Sequence, residues 1–205
     1  MNFKPKIIGI TGGISSGKST VGRMLASLGA EYIDADEMCH KLFLKPELKD
    51  KITMRFGNSV LDTFGKIDRI RLAEIVFRDK TCLDDLCNIL HPIVIAQIKA
   101  KIDEIEQRGR KRAIIIDAAL LEESELSMIC DFVVFVNTSK EHRIERCRIS
   151  RRWADGELEK RERFQMVPGD KKKKADYVID NNFTSDNTFR QVKEFWKLYI
   201  EEYKS

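Results

Sequence analysis

Gly12-Gly13-Ile14-Ser15-Ser16-Gly17-Lys18-Ser19 carries two invariant-type glycine positions, a lysine and a hydroxyl in the order GxxxxGK[ST]. Residues of these types at this spacing hold the phosphates of a nucleoside triphosphate. Glycine lets the backbone turn tightly, so that successive N–H groups converge on phosphate oxygens. A helix opening near Lys18 adds the positive end of its dipole. Lys18 would place its ammonium on the β- and γ-phosphates, and Ser19 would offer its hydroxyl to Mg2+. Gly12 through Thr20 are therefore the expected ATP contacts: Gly12, Gly13, Ile14, Ser15, Ser16, Gly17, Lys18, Ser19 and Thr20. The competing reading is a chance match. A strand before the loop and a helix after it tell the two apart, and the sequence has both.

Carboxylates at strand ends come next, since ligands of open α/β sheets sit beyond the carboxyl ends of the strands. Asp117 closes Ile114-Ile115-Ile116, the apolar run ending in Asp that supports magnesium directly or through water; turn chemistry is the bland alternative. Asp34 and Asp36 close Tyr32-Ile33. Phosphoryl transfer to a hydroxyl needs a carboxylate to take the proton and orient the nucleophile. Asp34 is the expected base, with Asp36 expected to cap a helix starting near Glu37.

A basic segment supplies the third element. From Lys140 to Lys174 there are 13 basic and 7 acidic residues, whereas the whole chain carries only +4. Arg143, Arg146, Arg148, Arg151, Arg152, Arg161 and Arg163 would lie on two short helices joined around Ala154-Asp155-Gly156. Guanidinium groups on such a lid stabilise charge on a transferred phosphoryl group, and closure excludes water. Interleaved glutamates also fit a solvated face, which accounts for most of these arginines; Arg146 is the first choice as a catalytic one. Lys171 to Lys174 read as a solvated loop.

The elements that must position these groups are short β-branched runs alternating with helical stretches. Expected strands are Ile7–Thr11, Tyr32–Asp34, Ala113–Asp117, Phe132–Val136 and Tyr177–Asp180. Their continuous apolar character is that of strands covered on both faces. Expected helices include Lys18–Leu28 with Gly29 as its stop, Asp68–Phe77, one opening at Pro92, and Thr188–Tyr203 docked on the sheet. The fold class is α/β: a three-layer P-loop NTPase fold with a central parallel five-stranded sheet, plus helical substrate-binding and lid regions.

The 205 residues suit one domain, 42% hydrophobic and 34% charged, as in folded globular proteins. No apolar run approaches the roughly 18 residues of a membrane span. Met1 to Lys6 runs directly into the first strand without the apolar stretch of a secretory signal. Five cysteines form no CxxC pair, which argues for reduced thiols. A cytoplasmic protein acting on small molecules is expected, with no membrane and no nucleic-acid partner, as a monomer or weak homo-oligomer.

Taken together the motifs resemble the dephospho-coenzyme A kinase family over nearly the whole chain. The resemblance rests on Thr11-Gly12-Gly13-Ile14 entering the loop, Asp34-Ala35-Asp36, Gly65-Lys66-Ile67-Asp68-Arg69, Leu72-Ala73, Val76-Phe77, Asn88, and His91-Pro92. It continues through Leu120-Leu121, Arg146, Gln165 and Ala175-Asp176-Tyr177-Val178-Ile179-Asp180-Asn181. It implies transfer of the ATP γ-phosphoryl group to the ribose 3′-hydroxyl of dephospho-coenzyme A, the last step of coenzyme A synthesis. It also implies a core (about 1–34, 111–139 and 175–205), a helical substrate-binding region (about 35–110) and a lid (about 140–174). Asp34 would be base and acceptor contact, while Arg69 and His91 would either bind the acceptor or hold the helices.

The chain departs from the family pattern at three places. Ser15 stands where the family usually has glycine. Ala119-Leu120-Leu121-Glu122-Glu123 replaces a Pro-Leu-Leu-Phe-Glu run, leaving open which glutamate lines the cleft. Ser150 stands four residues after Arg146, where a second arginine is frequent, and Arg151 is the candidate replacement. The rival readings are a small P-loop kinase acting on a nucleoside or nucleoside monophosphate, and a nucleotide-dependent binding switch.

Overall fold

The computed structural model describes residues 4–124 and 126–202. Five strands form one parallel sheet in the order β2-β3-β1-β4-β5. They are β1 (Lys6–Thr11), β2 (Glu31–Asp34), β3 (Ala113–Asp117), β4 (Phe132–Asn137) and β5 (Tyr177–Asp180). All five fall where the β-branched runs place them. Ile8, Ile10, Ile114, Ile115 and Ile116 are fully buried, as expected of strands covered on both faces.

Helix α1 (Lys18–Ser27) and helix α9 (Ser185–Trp196) share one core cluster with the sheet: Val21 and Leu25 from α1, Val192 and Phe195 from α9, against Ile8, Ile10, Ile115 and Val134. On the opposite face, a Cβ added at Gly9 would strike Leu121 and Cys130 within 2.8 Å, so the connection between β3 and β4 lies tight against β1. Because β1 is central, the loop that follows it emerges between the carboxyl ends of β3 and β4.

The chain divides into two compact units, residues 1–34 with 100–205, and residues 35–99. The second holds α2 (Ala35–Leu42), α3 (Pro46–Phe56), α4 (Arg69–Val76) and most of α5 (Lys80–Arg108). Asp68 caps α4, its carboxylate accepting from Ile70 N and Arg71 N at 2.9 and 3.2 Å. The first unit also carries α6 (Lys140–Arg151), α7 (Glu157–Glu162) and α8 (Pro168–Lys174).

Four local expectations are corrected. Pro92 does not open a helix; it lies inside the 29-residue α5. Proline there removes the bond back to the carbonyl of residue 88. Leu86, Leu90, Val94, Ile98, Ile102 and Ile105 are buried at helical intervals on both sides of it, and their burial carries the helix through. Asp36 is not a cap, because β2 passes into α2 at Ala35 without a turn; it stands in the first turn, favourably placed toward the helix dipole. Lys171 to Lys174 is no solvated loop but the end of α8, where Lys171 is only 1% exposed. The last helix starts at Ser185 and gives way to a π-helical turn, Lys197–Glu201; Tyr203, its expected end, is outside the described residues.

Candidate active site

Residues 12–17 form the turn between β1 and α1, and the Ser15 and Ser16 carbonyls are held by side chains from outside the loop. The Ser16 carbonyl accepts three hydrogen bonds: from Thr138 Oγ1 at 2.8 Å, Asn181 Nδ2 at 2.8 Å and Arg146 Nη1 at 3.1 Å. Thr138 follows β4 and Asn181 follows β5, so neighbouring strand ends hold the loop. A carbonyl pinned outward turns the adjoining N–H groups toward the phosphate position. Gly17, the residue before α1, has φ +95°, and a Cβ on it would meet Asn181 Nδ2 at 2.3 Å; only glycine fits there. Lys18 is buried, its Nζ donating to the Gly13 carbonyl at 3.3 Å, while Thr20 is exposed on the first turn of α1.

Ser15 adopts φ +59°, the left-handed region. This is the physical reason a glycine would be at ease there; a side chain in that region costs about 1–2 kcal/mol. The serine is held in place from α6: Cys147 Sγ donates to Ser15 Oγ at 3.0 Å, and Arg146 Nη1 reaches the Ser15 carbonyl at 3.4 Å.

Arg146 also donates to the Asn181 carbonyl at 3.0 Å, so its guanidinium spans the loop and the end of β5. Arg143, buried, pairs with Glu162, whose Oε1 accepts from Ile14 N at 3.1 Å. A carboxylate from α7 thus lies on one loop N–H with a cation beside it. Arg151 stacks over Trp153, with 5.0 Å from guanidinium carbon to ring centroid, and Ser150 Oγ donates to the Arg146 carbonyl at 2.6 Å.

Asp34 and Asp117 are register partners across β2 and β3, and Asp117 also pairs in register with Ile10 of β1. Both carboxylates therefore stand at the carboxyl edge beside the loop. Asp117 is 3% exposed. Its Oδ2 accepts from Tyr32 Oη at 2.7 Å, while Oδ1 is buried without a hydrogen-bond partner among the described residues. Ser19 lies near the Tyr32 phenol and acts to lower its pKa. Burial first, then the Asp117 hydrogen bond and charge, hold the Tyr32 phenol well above its ordinary pKa, so it remains a donor.

A magnesium ion fits this set. Mg2+ binds through one or two carboxylates and substrate phosphates rather than through an all-protein cage. Asp117 Oδ1 is such an oxygen, with the Ser19 hydroxyl nearby. Among the described residues no group of three or more His, Cys, Asp or Glu could hold a metal by itself.

In the second unit, Arg69 is exposed at the start of α4, with Nη2 2.7 Å from His40 Nε2. His91 is half-buried on α5, just before Pro92. Of the two glutamates left open, Glu123 Oε1 accepts from Lys171 Nζ at 2.9 Å and Met166 N at 2.8 Å. Glu122 Oε1 is buried without a hydrogen-bond partner among the described residues. The residues sequence reasoning missed are Tyr32, Thr138, Glu162 and the loop-holding role of Asn181. For Thr138 and Asn181 the usable signal was position: each directly follows the end of a parallel strand.

A profile of the dephospho-CoA kinase family (CoaE) matches residues 6–187. The chain belongs to the dephospho-CoA kinase family. It is an ATP-dependent kinase with dephospho-CoA kinase activity, EC 2.7.1.24, consistent with the last step of coenzyme A synthesis. It is similar to the dephospho-CoA kinase of Fusobacterium nucleatum, 39% identical over 193 residues that cover 92% of this chain and 96% of that one. The crystal structure of TT1252 from Thermus thermophilus matches with TM-score 0.79 and 28% identity, covering 95% and 98% of the two chains. The dephospho-CoA kinase from Campylobacter jejuni matches with TM-score 0.61 and 25% identity, covering 97% and 99%. Among the described residues no helix is long and apolar enough to cross a membrane.

Proposed function

We propose that the ribose 3′-hydroxyl of dephospho-coenzyme A is the acceptor and that Asp34 is the base. The observation that carries this is the pairing of Asp34 with Asp117 at the edge of the sheet, beside the loop that follows β1. Two carboxylates so placed divide the work. Asp117, tied to Tyr32 and with one oxygen unpaired among the described residues, suits the metal side; Asp34, on the edge strand β2, suits the acceptor side.

In this reading Asp34 takes the proton of the 3′-hydroxyl as that oxygen bonds to the γ-phosphorus. The bond from the γ-phosphorus to the β–γ bridging oxygen breaks, and ADP leaves with the electron pair. Lys18 and the N–H groups of residues 13–19, apart from those of Ile14 and Ser16, hold the β- and γ-phosphates, and Arg146 adds positive charge from the lid. Ser19 and Asp117 would hold magnesium, Asp117 directly or through water; the bound ion supplies charge neutralisation across those phosphates.

Arg69 and His91, in the helical region of about 35–110, contact the acceptor, and residues 140–174 act as the lid. The partners are ATP, Mg2+ and dephospho-coenzyme A, with neither nucleic acid nor membrane, and the enzyme works in the cytoplasm as a monomer or weak homo-oligomer. The lid cations are largely matched within the segment, as in Arg143 with Glu162, Lys140 with Glu159, Arg148 with Asp155 and Arg161 with Glu157. That matching favours a small anionic substrate over a polyanion.

The test is an acceptor screen. Purified protein with ATP and Mg2+ is offered dephospho-coenzyme A, nucleosides and nucleoside monophosphates, following ADP release and product mass. Coenzyme A formed only from dephospho-coenzyme A, with the new phosphate on the 3′-oxygen, is expected. Acceptor-dependent ADP from a nucleoside instead, or phosphate at another oxygen, overturns the acceptor assignment.

A further inference from the structure

We infer that Tyr32 is a positioning residue of the divalent-cation site, fixing one oxygen of Asp117 through its phenolic hydroxyl. The inference rests on the magnesium reading of Ser19 and Asp117 given above. Three observations carry it. Tyr32 Oη donates to Asp117 Oδ2 at 2.7 Å. Ser19, the other residue of the proposed site, lies near the same phenol and acts to lower its pKa. Asp117 Oδ1, the oxygen Tyr32 does not engage, is buried with no hydrogen-bond partner among the described residues.

The geometry follows from the strand. Tyr32 and Asp34 lie two residues apart on β2 and so share a face of the sheet. Register pairs Tyr32 with Ile115, which sits in the core cluster that includes α1. The ring is thus directed to the face of α1, and α1 has made room for it. A Cβ on Gly22 would lie 2.4 Å from Tyr32 Cε2. Glycine weakens a helix interior, and here its missing side chain is the seat of the ring. Gly22 and Tyr32 form a matched pair that delivers a hydroxyl to the carboxylate.

The consequence is orientation. A buried carboxylate with one oxygen fixed by a donor has its second oxygen fixed as well. Partners behind a metal ligand typically alter metal affinity by roughly 10–100-fold when removed.

The test measures Mn2+ binding to the full chain with a non-hydrolysable ATP analogue, by electron paramagnetic resonance of unbound Mn2+. Tyr32→Phe is expected to weaken Mn2+ by roughly tenfold. In turnover it should raise the Mg2+ concentration for half-activity by a similar factor, with kcat largely recovered at saturating Mg2+. Gly22→Ala is expected to weaken Mn2+ in the presence of Tyr32 and to have no further effect in a Tyr32→Val background. That contrast separates displacement of the hydroxyl from damage to the helix. Wild-type Mn2+ affinity in Tyr32→Phe, when Asp117→Asn has lost it, overturns the role of Tyr32 alone. Wild-type affinity in Asp117→Asn overturns the magnesium reading and this inference with it.

Discussion

Asp34 and Asp117 face each other in register across β2 and β3, one at the end of an edge strand and the other hydrogen-bonded to Tyr32. Neighbouring carboxylates with different partners can be assigned different work, and substitutions can separate that work.

The pair of Arg143 and Glu162 keeps a carboxylate on the Ile14 N–H without leaving its charge uncompensated. Arg143→Ala leaves that charge beside the triphosphate position. The KM for ATP should rise at least about tenfold, as expected for an uncompensated, partly buried charge. Adding Glu162→Gln should restore most of the loss. A double variant no better than Arg143→Ala contradicts the charge argument, with a fluorescent nucleotide titration as the check.

Ser15 adopts the left-handed backbone that glycine occupies at little cost. Ser15→Gly is expected to keep kcat within about twofold of the parent, since the positive φ is retained. Ser15→Val should lower both melting temperature and ATP affinity, because a β-branched residue at positive φ is strained. Thermal unfolding and ATP titration of the two variants give the comparison.

Much of this site is legible in the sequence. The five strands announce themselves because β-branched runs buried on both faces leave little other choice, and the phosphate loop follows from its glycines and lysine. Pro92 misleads because local preference places proline at a helix start, whereas buried leucines, valines and isoleucines on either side decide the outcome. Lys171 misleads because four consecutive lysines look solvated; only the helical phase of α8 shows that one of them turns inward. Tyr32 is invisible as a functional residue, since its partners Gly22 and Asp117 are 10 and 85 positions away in sequence.

Lys171, buried, donates to Glu123 and to the Ala119 carbonyl. Lys171→Met should cost about 3 kcal/mol, because it leaves the partly buried Glu123 without its cation. In a chain of this size that lowers the melting temperature by roughly 6–12 °C. Lys172→Ala and Lys173→Ala should fall within about 0.5 kcal/mol of the parent. Equal effects at all three positions would contradict the burial argument.

Burial, with neighbouring carboxylates second, pushes the Cys130 thiol up to about 12. Burial again leads at Cys39, followed by Asp36 and then Cys87, and pushes that thiol up to about 11. Both groups bind protons more tightly folded than unfolded. Their contribution to stability is complete below the ordinary thiol range and is lost as pH rises from about 9 toward these values. The urea midpoint should therefore fall between pH 8.5 and 10.5 by more in the parent than in a Cys39→Ala/Cys130→Ala variant, on this roughly two-unit window. An identical pH dependence in both proteins contradicts the assignment.

The most direct test of the central claim is the turnover of Asp34→Asn with saturating ATP, Mg2+ and dephospho-coenzyme A, with ATP affinity measured on the same preparation. Lys18→Ala, which removes the phosphate-binding ammonium, serves as the inactive reference. If Asp34 is the base, kcat falls by at least about 100-fold while ATP affinity stays within about twofold of the parent, since Asp34 acts on the acceptor rather than on the nucleotide. Parental turnover in Asp34→Asn would contradict the account and move the search for the base away from the end of β2.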